Sequence, residues 1–196
     1  MSSGKASEKE EAGFILFSAK EVAITAAFAG LQLAGVLLGL IIPVLPGGGA
    51  LWALQPLMTP AAYAAGPIAG VLIVGIAGTV RPVALENWIV FGAMYAFIGA
   101  TYYPFKDWSL KKKIPVLFAL DAFAWGVLAA FGTTWMDIYV YHFAPQEAFW
   151  EYFYLTQTLF TLPSVIMDWI AIAIVLTLFP NFAKPTWWDR WKKSRK

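Results

Sequence analysis

Two aspartates stand inside long apolar stretches, and they are the residues of this sequence with the clearest capacity for chemistry. Asp121 and Asp168 are both flanked on each side by mainly apolar residues. An acidic side chain at the centre of a membrane helix costs roughly 2.5–3.5 kcal/mol, so it usually has a partner or a role. We expect the two carboxyl groups either to bind polar substrate groups or relay protons, or to hydrogen-bond a neighbouring helix or lie nearer the membrane interface.

Other polar and aromatic side chains are candidates for binding a ligand. Trp52 is the only aromatic residue of a Pro/Gly-rich loop, where its ring can close over a flat ligand. Gln157 and Thr161 lie one helical turn apart and can offer hydrogen bonds to one cavity. Arg81 and Glu86 are interpreted as an ordinary loop pair.

The sequence contains no pattern typical of a catalytic centre. It has no phosphate-binding Walker motif, no Cys and a single His, and its Asp and Glu residues are too scattered for a two-metal site. The basic residues lie beside apolar stretches and do not form a face with exposed aromatics, which argues against nucleic-acid binding. We therefore expect no enzyme activity, no cofactor, no metal and no nucleic-acid partner.

Composition places these residues in an integral membrane protein. Of 196 residues, 60% are hydrophobic and 13% charged, whereas soluble domains are about 25% charged. Apolar stretches near the ~20 residues that span a bilayer cover about 22–44, 60–80, 86–103 and 114–131. The stretch 147–179, interrupted by Pro163, is either two shorter helices or one span after an interfacial segment. The fold class is thus all-α, with about six transmembrane helices and five as the alternative.

Charge divides the chain into three regions. Residues 1–21 form a polar tail, 22–180 the transmembrane domain, and 181–196 a basic, Trp-rich tail typical of a segment at the lipid headgroups. The basic tail predicts a cytoplasmic C-terminus in a multi-pass protein of the cell membrane. Whether the loop Lys106–Lys113 lies inside or outside stays open, because six spans and five both place ten basic residues inside and four outside.

Small residues recur along one side of the first predicted helix. Ala19, Ala23 and Ala27 are spaced four apart, so they lie on one helical face that another helix can approach closely. Internal packing is the reading that spacing alone favours. Docking of a separate membrane subunit is the alternative.

Several of these features together resemble the substrate-binding subunits, or S components, of energy-coupling factor (ECF) transporters, which import vitamins and related micronutrients. The Ala19/Ala23/Ala27 ladder resembles the family's alanine motif, and PVLPGGG at 43–49 begins a loop like its substrate-capping first loop. Gly66, Pro67 and Gly70 match its GP-x-x-G helix. Gly132–Trp135 and Pro163, at the start of the last predicted helix, are also similar to folate- and queuosine-type members.

The resemblance implies a six-helix protein with both termini in the cytoplasm and the loop Lys106–Lys113 outside the cell. Such a protein binds a vitamin-like molecule in its outer half, beneath the first loop, and performs no catalysis. It also implies three partners besides membrane lipid: a transmembrane coupling subunit, which would dock on the alanine ladder, and two ATPase subunits. On this arrangement one pocket would combine residues from separate segments: Trp52, Gln55, Tyr102, Trp108, Asp121, Trp125, Gln157 and Asp168.

Two other functions remain open from the residues alone. An autonomous proton-coupled carrier would use Asp121 and Asp168 and would need no ATPase. A structural subunit of a larger membrane complex would use its aromatic residues only for packing and would bind no specific ligand.

Overall fold

The computed structural model describes residues 17–44, 50–182 and Trp187, and these residues are almost entirely helical. Three short elements connect the helices: a two-stranded antiparallel hairpin and two 3₁₀ turns, Gln55–Leu57 and Tyr103–Phe105. The helices and strands, in chain order, are α1 (Ala19–Leu37), β1 (Ile41–Pro43), β2 (Ala50–Trp52), α2 (Met58–Ala65), α3 (Pro67–Gly78), α4 (residues 84–101), α5 (Leu110–Val140) and α6 (Gln146–Leu178).

Three of these helices are long and apolar enough to cross a membrane. They are α1 with 19 residues, α5 with 31 and α6 with 33, and the all-α membrane class predicted from composition fits them. Both α5 and α6 contain π-helical turns, as does α4. The described bundle is therefore one of long apolar helices with irregular turns.

Helix α1 is shorter than the stretch 22–44 predicted for it. Ser18 caps its start in a reciprocal pair with Glu21. It ends because Gly39 adopts a left-handed conformation with φ of 72°, and the Leu40 amide then donates to the carbonyl of Gly35 at 2.9 Å, the bond that closes a Schellman motif. The β-branched Ile41 and Ile42 that follow pair with β2 instead of extending the helix.

The stretch 60–80, predicted as one span, is two helices running in opposite directions. Gly66 separates α2 from α3 with φ of 92° and ψ of 180°, a conformation that side chains strongly disfavour. The reversal is visible in the packing, since Met58 and Val74 line one cavity although 16 residues separate them. A kinked but continuous helix would hold those residues about 24 Å apart.

Helix α4 packs closely against α3 because glycines face it. A β-carbon at Gly70 would lie 2.7 Å from the Tyr95 carbonyl oxygen, and one at Gly78 would overlap the Asn87 side chain. These two contacts show that α3 and α4 run antiparallel. Gly66, Pro67 and Gly70 of the GP-x-x-G motif therefore have a packing role, in addition to marking the turn.

Helix α6 continues through Pro163, so of the two arrangements left open for this stretch, the one with a break there is wrong for the described chain. The π-helical turn Gln157–Thr161 ends two residues before this proline. Pro163 thus lies at the start of the following α-helical segment, Leu162–Leu178, where a local change in hydrogen bonding accommodates its missing N–H. The alternative of two helices from 147 to 179 is not what the chain forms.

One end of the bundle, here called the hairpin end, carries the hairpin and two interhelical loops. Arg81 of the α3–α4 loop lies over the Trp52 ring, 5.4 Å from its centroid. The Glu86 amide at the start of α4 donates to the Tyr141 hydroxyl, just after α5, at 3.2 Å.

The opposite end, here called the tail end, carries both limits of the described bundle. Lys20 near the start of α1 donates to the Phe182 carbonyl beyond α6 at 3.3 Å. Tyr103 of the α4–α5 loop packs against Trp187 at 6.2 Å, and Trp187 also covers Gly66. Of the predicted headgroup segment 181–196, the structure describes only residues 181, 182 and 187, and the rest of that prediction lies outside the described residues.

Candidate functional site

The hairpin places one aromatic side chain over the interior of the bundle. In β2, Ala50 and Trp52 are buried and Leu51 between them is partly exposed, as alternation along a strand requires. Gln32 of α1 fixes the segment that follows, because its side-chain amide donates to the Leu54 carbonyl at 2.5 Å. Trp52 is therefore held as the roof of an internal space.

That space, here called the central cavity, lies between the hairpin and five of the helices. The side chains leave about 360 Å³ of empty space around it, part of it open to the surroundings, and most of it consists of narrow gaps. A ligand the size of a vitamin therefore requires these side chains to move apart. The lining residues are Ala50, Trp52, Gln55, Met58, Val74, Arg81, Glu86, Asn87, Phe91, Tyr95, Trp125 and Phe160.

Aromatic rings form most of the inner wall of the cavity. Phe91, Trp125 and Phe160 contact one another, with centroids 5.6–5.9 Å apart. Tyr95 meets Trp125 edge to face at 6.4 Å. With Trp52 opposite, these rings provide faces on which a flat molecule can stack.

Polar atoms without partners face the same space. The Gln55 side chain is 4% exposed and its amide nitrogen has no hydrogen-bond partner among the described residues. The Tyr95 hydroxyl is likewise buried without a partner there. Buried polar atoms normally have partners, so these two are suited to bind polar groups of a ligand.

Charged side chains lie at the hairpin end of the cavity. Burial lowers the pKa of the Arg81 guanidinium, while the nearby Glu86 carboxyl raises it. Glu86 is 3% exposed and accepts a hydrogen bond from the Thr133 hydroxyl at 2.6 Å. The prediction that Arg81 and Glu86 form an ordinary loop pair is therefore incomplete, because both line the cavity.

Behind the aromatic wall, Asp121 and Asp168 meet, and together they are called the carboxyl pair. Both are buried, and they lie near enough for their carboxyl groups to interact electrostatically. Oδ2 of Asp168 accepts hydrogen bonds from the Thr59 hydroxyl at 2.7 Å and the Trp125 indole N–H at 2.9 Å. The pair does not line the cavity itself but holds Trp125, which does.

Three residues of the predicted pocket lie elsewhere. Tyr102 stacks on Tyr63 at 4.8 Å towards the tail end, and Trp108 is 45% exposed in the α4–α5 loop. Gln157 donates to the Gly126 carbonyl at 2.5 Å, joining α6 to α5. Tyr102 and Trp108 were grouped with the others because the reversal at Gly66 was not foreseen, so the ends of α4 were assigned to the wrong sides.

The structure thus assembles only part of the predicted pocket and adds residues to it. Trp52, Gln55 and Trp125 line the cavity, and the carboxyl pair lies directly behind Trp125. Those that sequence reasoning missed are Thr59, Glu86, Asn87, Tyr95 and Arg81. Thr59, Asn87 and Tyr95 could have been found from the sequence, because each is a polar residue within an apolar stretch.

The face of α1 with the alanine ladder points away from the rest of the bundle. Ala19, Ala23 and Ala27 are exposed, and a β-carbon at the neighbouring Gly30 would meet nothing within 4 Å. The reading that these residues serve internal packing is therefore wrong for the described chain. We call Ala19, Ala23, Ala27 and Gly30 the alanine face.

No known protein family, curated protein or solved structure matches this chain.

Proposed function

We propose that this chain is the substrate-binding subunit of an ECF-type importer for a vitamin or related micronutrient. The observation that carries the proposal is the central cavity, which lies between the hairpin and five helices and is lined by aromatic rings and a few polar groups. Mostly aromatic walls with few polar groups are typical of small-molecule sites.

The cavity favours a flat ligand that also carries hydrogen-bonding groups. Trp52 and Trp125 provide stacking surfaces, which supply affinity. Gln55, Tyr95 and Arg81 provide donors that orient the ligand. Binding in this way needs no catalytic group, and the chain acts by capture.

The distribution of basic residues supports a six-pass arrangement with the tail end in the cytoplasm. Among the described residues, Lys20, Lys106 and Lys111–Lys113 lie at the tail end and Arg81 alone at the hairpin end. Cytoplasmic loops are enriched in Lys and Arg. Helices α2 and α3 are shorter than a full span, but the chain runs towards the tail end in α2 and back to the hairpin end in α3. That course puts the loop 102–109 inside and the cavity near the outer face.

The alanine face supports docking of a transmembrane coupling subunit. Its small side chains let a partner helix approach closely, which favours association within lipid. Energy for transport would come from two ATPase subunits bound to that coupling subunit, since the chain itself carries no nucleotide-binding motif.

Ligand binding to the purified full chain in detergent tests the proposal. Intrinsic tryptophan fluorescence is followed against a panel of vitamins and their precursors, and one member should quench it saturably near nanomolar concentration. Trp52→Ala should weaken that affinity about tenfold or more, since it removes a stacking face. Trp108→Ala is the matched control, because this tryptophan is exposed and outside the cavity.

Two results would contradict the proposal. One is no response from folded protein to any member of the panel, which would favour a structural subunit. The other is equal loss of affinity in Trp52→Ala and Trp108→Ala, which would place the ligand outside the central cavity.

A proton-coupled carrier is the second candidate, and the carboxyl pair is the observation that favours it. Two adjacent buried carboxyl groups are typical of proton-translocating sites in membrane proteins. Uptake of the identified ligand by cells that lack ATPase partners would support the carrier. Uptake that depends on those partners would support the capture subunit.

A further inference from the structure

A groove of apolar side chains opens on the outside of the bundle, between α1, the start of α2 and the end of α6. It is here called the tail groove, and it has a volume of about 210 Å³ within about 470 Å³ of empty space that is partly open to the surroundings. An engineered apolar cavity of about 150 Å³ is already large enough to bind benzene. The residues that line the tail groove are Phe28, Leu57, Pro60, Val175, Phe179 and Phe182.

The walls of the tail groove follow from helical spacing and from one aromatic contact. Val175 and Phe179 are four residues apart on the last turns of α6 and therefore lie on one face of that helix. The chain then turns, and the ring of Phe182 packs against the ring of Phe28 on α1 with 5.9 Å between centroids. The floor is the start of α2, a helix whose eight residues are all buried. The lining therefore offers no hydrogen-bonding side chain to water.

The surface around the tail groove faces membrane lipid. Its neighbours Leu31 on α1 and Ile174 and Leu178 on α6 are 42%, 49% and 65% exposed. Both α1 and α6 are long and apolar enough to cross a membrane, so these side chains contact hydrocarbon instead of water. An empty groove there would leave the lining residues without contacts on one side. An acyl chain from the bilayer is the apolar group that can fill it.

A basic side chain lies at the tail end of the groove. Lys20 is exposed, and its ammonium group donates to the Phe182 carbonyl at 3.3 Å. An ammonium group has three N–H donors, so one that contacts this carbonyl can also donate to a phosphate. The adjacent Glu21 is fully buried, and its carboxyl group accepts the Ser18 amide in the helix cap. Phe28 lies eight residues further along α1, which places it about 12 Å deeper in the membrane.

We propose that the tail groove binds one acyl chain of an anionic phospholipid whose phosphate pairs with Lys20. The apolar lining selects the chain, and the cation at the tail end selects a headgroup with net negative charge. Anionic lipids are enriched in the cytoplasmic leaflet, which is the side that the six-pass arrangement gives to the tail end. The site itself depends neither on that arrangement nor on the ligand of the central cavity.

The lipid would contact the same chain segment that supports the central cavity. Leu57 and Pro60 line the tail groove, whereas Gln55 and Met58 of this segment line the central cavity. Thr59 between them donates to Asp168 at 2.7 Å. An acyl chain in the groove therefore holds the segment in place, and each site changes the affinity of the other by the same factor.

Native mass spectrometry of the purified full chain tests the proposal. The protein is equilibrated in detergent with equal amounts of dioleoyl phosphatidylglycerol and dioleoyl phosphatidylcholine, which have the same chains and differ in headgroup charge. Each chain should retain one phosphatidylglycerol in about fivefold preference, as one basic residue near a phosphate predicts. Equal retention of the two lipids overturns the proposal. Retention of neither also overturns it, and would assign the groove to residues 188–196 of the chain or to a partner helix.

Two pairs of variants locate the retained lipid. Val175→Trp fills the groove and should reduce retention about tenfold or more, whereas Ile174→Trp, at the exposed neighbouring position, should leave it unchanged. Lys20→Gln should remove the preference for phosphatidylglycerol, whereas Lys111→Gln, an exposed lysine at the same end of the bundle, should keep it. Equal retention in the two tryptophan variants, or an unchanged preference in Lys20→Gln, overturns the proposal.

Competition on the unmodified protein decides the question if Val175→Trp does not fold. Lysophosphatidylglycerol has the same headgroup and one acyl chain, and it should displace the retained lipid. Glycerol phosphate has the phosphate but no chain, and at the same concentration it should displace none. Equal displacement by the two compounds overturns the proposal, because the groove would then contribute nothing to binding.

Discussion

The contact between Gly99 and the α2–α3 turn gives a sharp test of the reversal at Gly66. A β-carbon at Gly99 would lie 2.9 Å from both the Gly66 carbonyl carbon and the Pro67 nitrogen, and 3.0 Å from the Ala62 carbonyl oxygen. All three neighbours are backbone atoms, so no side chain can rotate out of the way. Gly99→Ala therefore requires α4 to move away from the turn.

The size of the effect follows from two opposing contributions. Forcing an extra methyl group into a packed site costs about 1–3 kcal/mol. Replacing Gly by Ala within a helix recovers up to about 1 kcal/mol. We expect a net loss of about 1–2 kcal/mol in the free energy of unfolding, which for a chain of this size lowers the midpoint by about 2–8 °C.

The assay is thermal unfolding of the purified protein in one detergent, followed by circular dichroism, with Gly30→Ala as the matched control. Gly30 is also helical, but a β-carbon there meets nothing within 4 Å, so its midpoint should stay the same or rise. A midpoint for Gly99→Ala at or above that of the unmodified protein would refute the close approach of α4 to the turn.

Three further predictions concern topology, a buried acid and the alanine face. Because the chain has no Cys, single cysteines report sidedness: Val80→Cys should react with an impermeant maleimide on intact cells, and Lys112→Cys only after permeabilisation. Thr133→Val removes the hydroxyl that donates to the Glu86 carboxyl group at 2.6 Å and should cost about 1–3 kcal/mol in thermal unfolding. Ala23→Trp should leave folding unchanged but abolish co-purification with a coupling subunit.

Each of these predictions has a control and a result that would contradict it. Reaction of both cysteines on intact cells would refute the six-pass arrangement. Thr158→Val removes an exposed hydroxyl and should change the free energy of unfolding by less than about 0.5 kcal/mol, so an equal effect of the two threonine changes would argue against burial of Glu86. Ile170→Trp, exposed on α6, should leave co-purification intact, and its loss there would remove the special role of the alanine face.

The elements that the sequence predicted well are those with a strong periodic or compositional signal. The long apolar helices follow from hydrophobic content, and the proximity of Asp121, Trp125 and Asp168 follows in part from the rarity of acidic groups in apolar stretches. A carboxyl group in that setting needs hydrogen-bond donors, and Trp125 provides one. These predictions depend on composition and not on exact boundaries.

What sequence reasoning missed depends on local backbone conformation. A left-handed glycine ends α1 early at Gly39, and another reverses the chain at Gly66. Glycine adopts such conformations and ordinary helical ones alike, so the residue type alone does not reveal which backbone conformation a glycine takes. At Pro163 the structure is more regular than the residue type suggests. A proline can break a helix, but a π-helical turn before it lets α6 continue.

The reversal at Gly66 accounts for both the site and the charge asymmetry. Because α2 is only 8 residues long, the chain runs from the hairpin to the tail end and returns to the end of α3 within 26 residues of Trp52. Thr59, in the first turn of α2, donates a hydrogen bond to Asp168. The return then puts Arg81 back at the hairpin end over Trp52 and sends the lysine-rich loop to the other end.

The charge asymmetry depends on this one left-handed glycine. Had the chain continued straight through Gly66, Arg81 would lie at the tail end with Lys20, and the lysine-rich loop would share an end with Trp52. The basic residues of the described chain would then divide four to two between the ends, whereas the reversal divides them five to one. Because loops rich in Lys and Arg face the cytoplasm, the reversal strengthens the preference for one orientation.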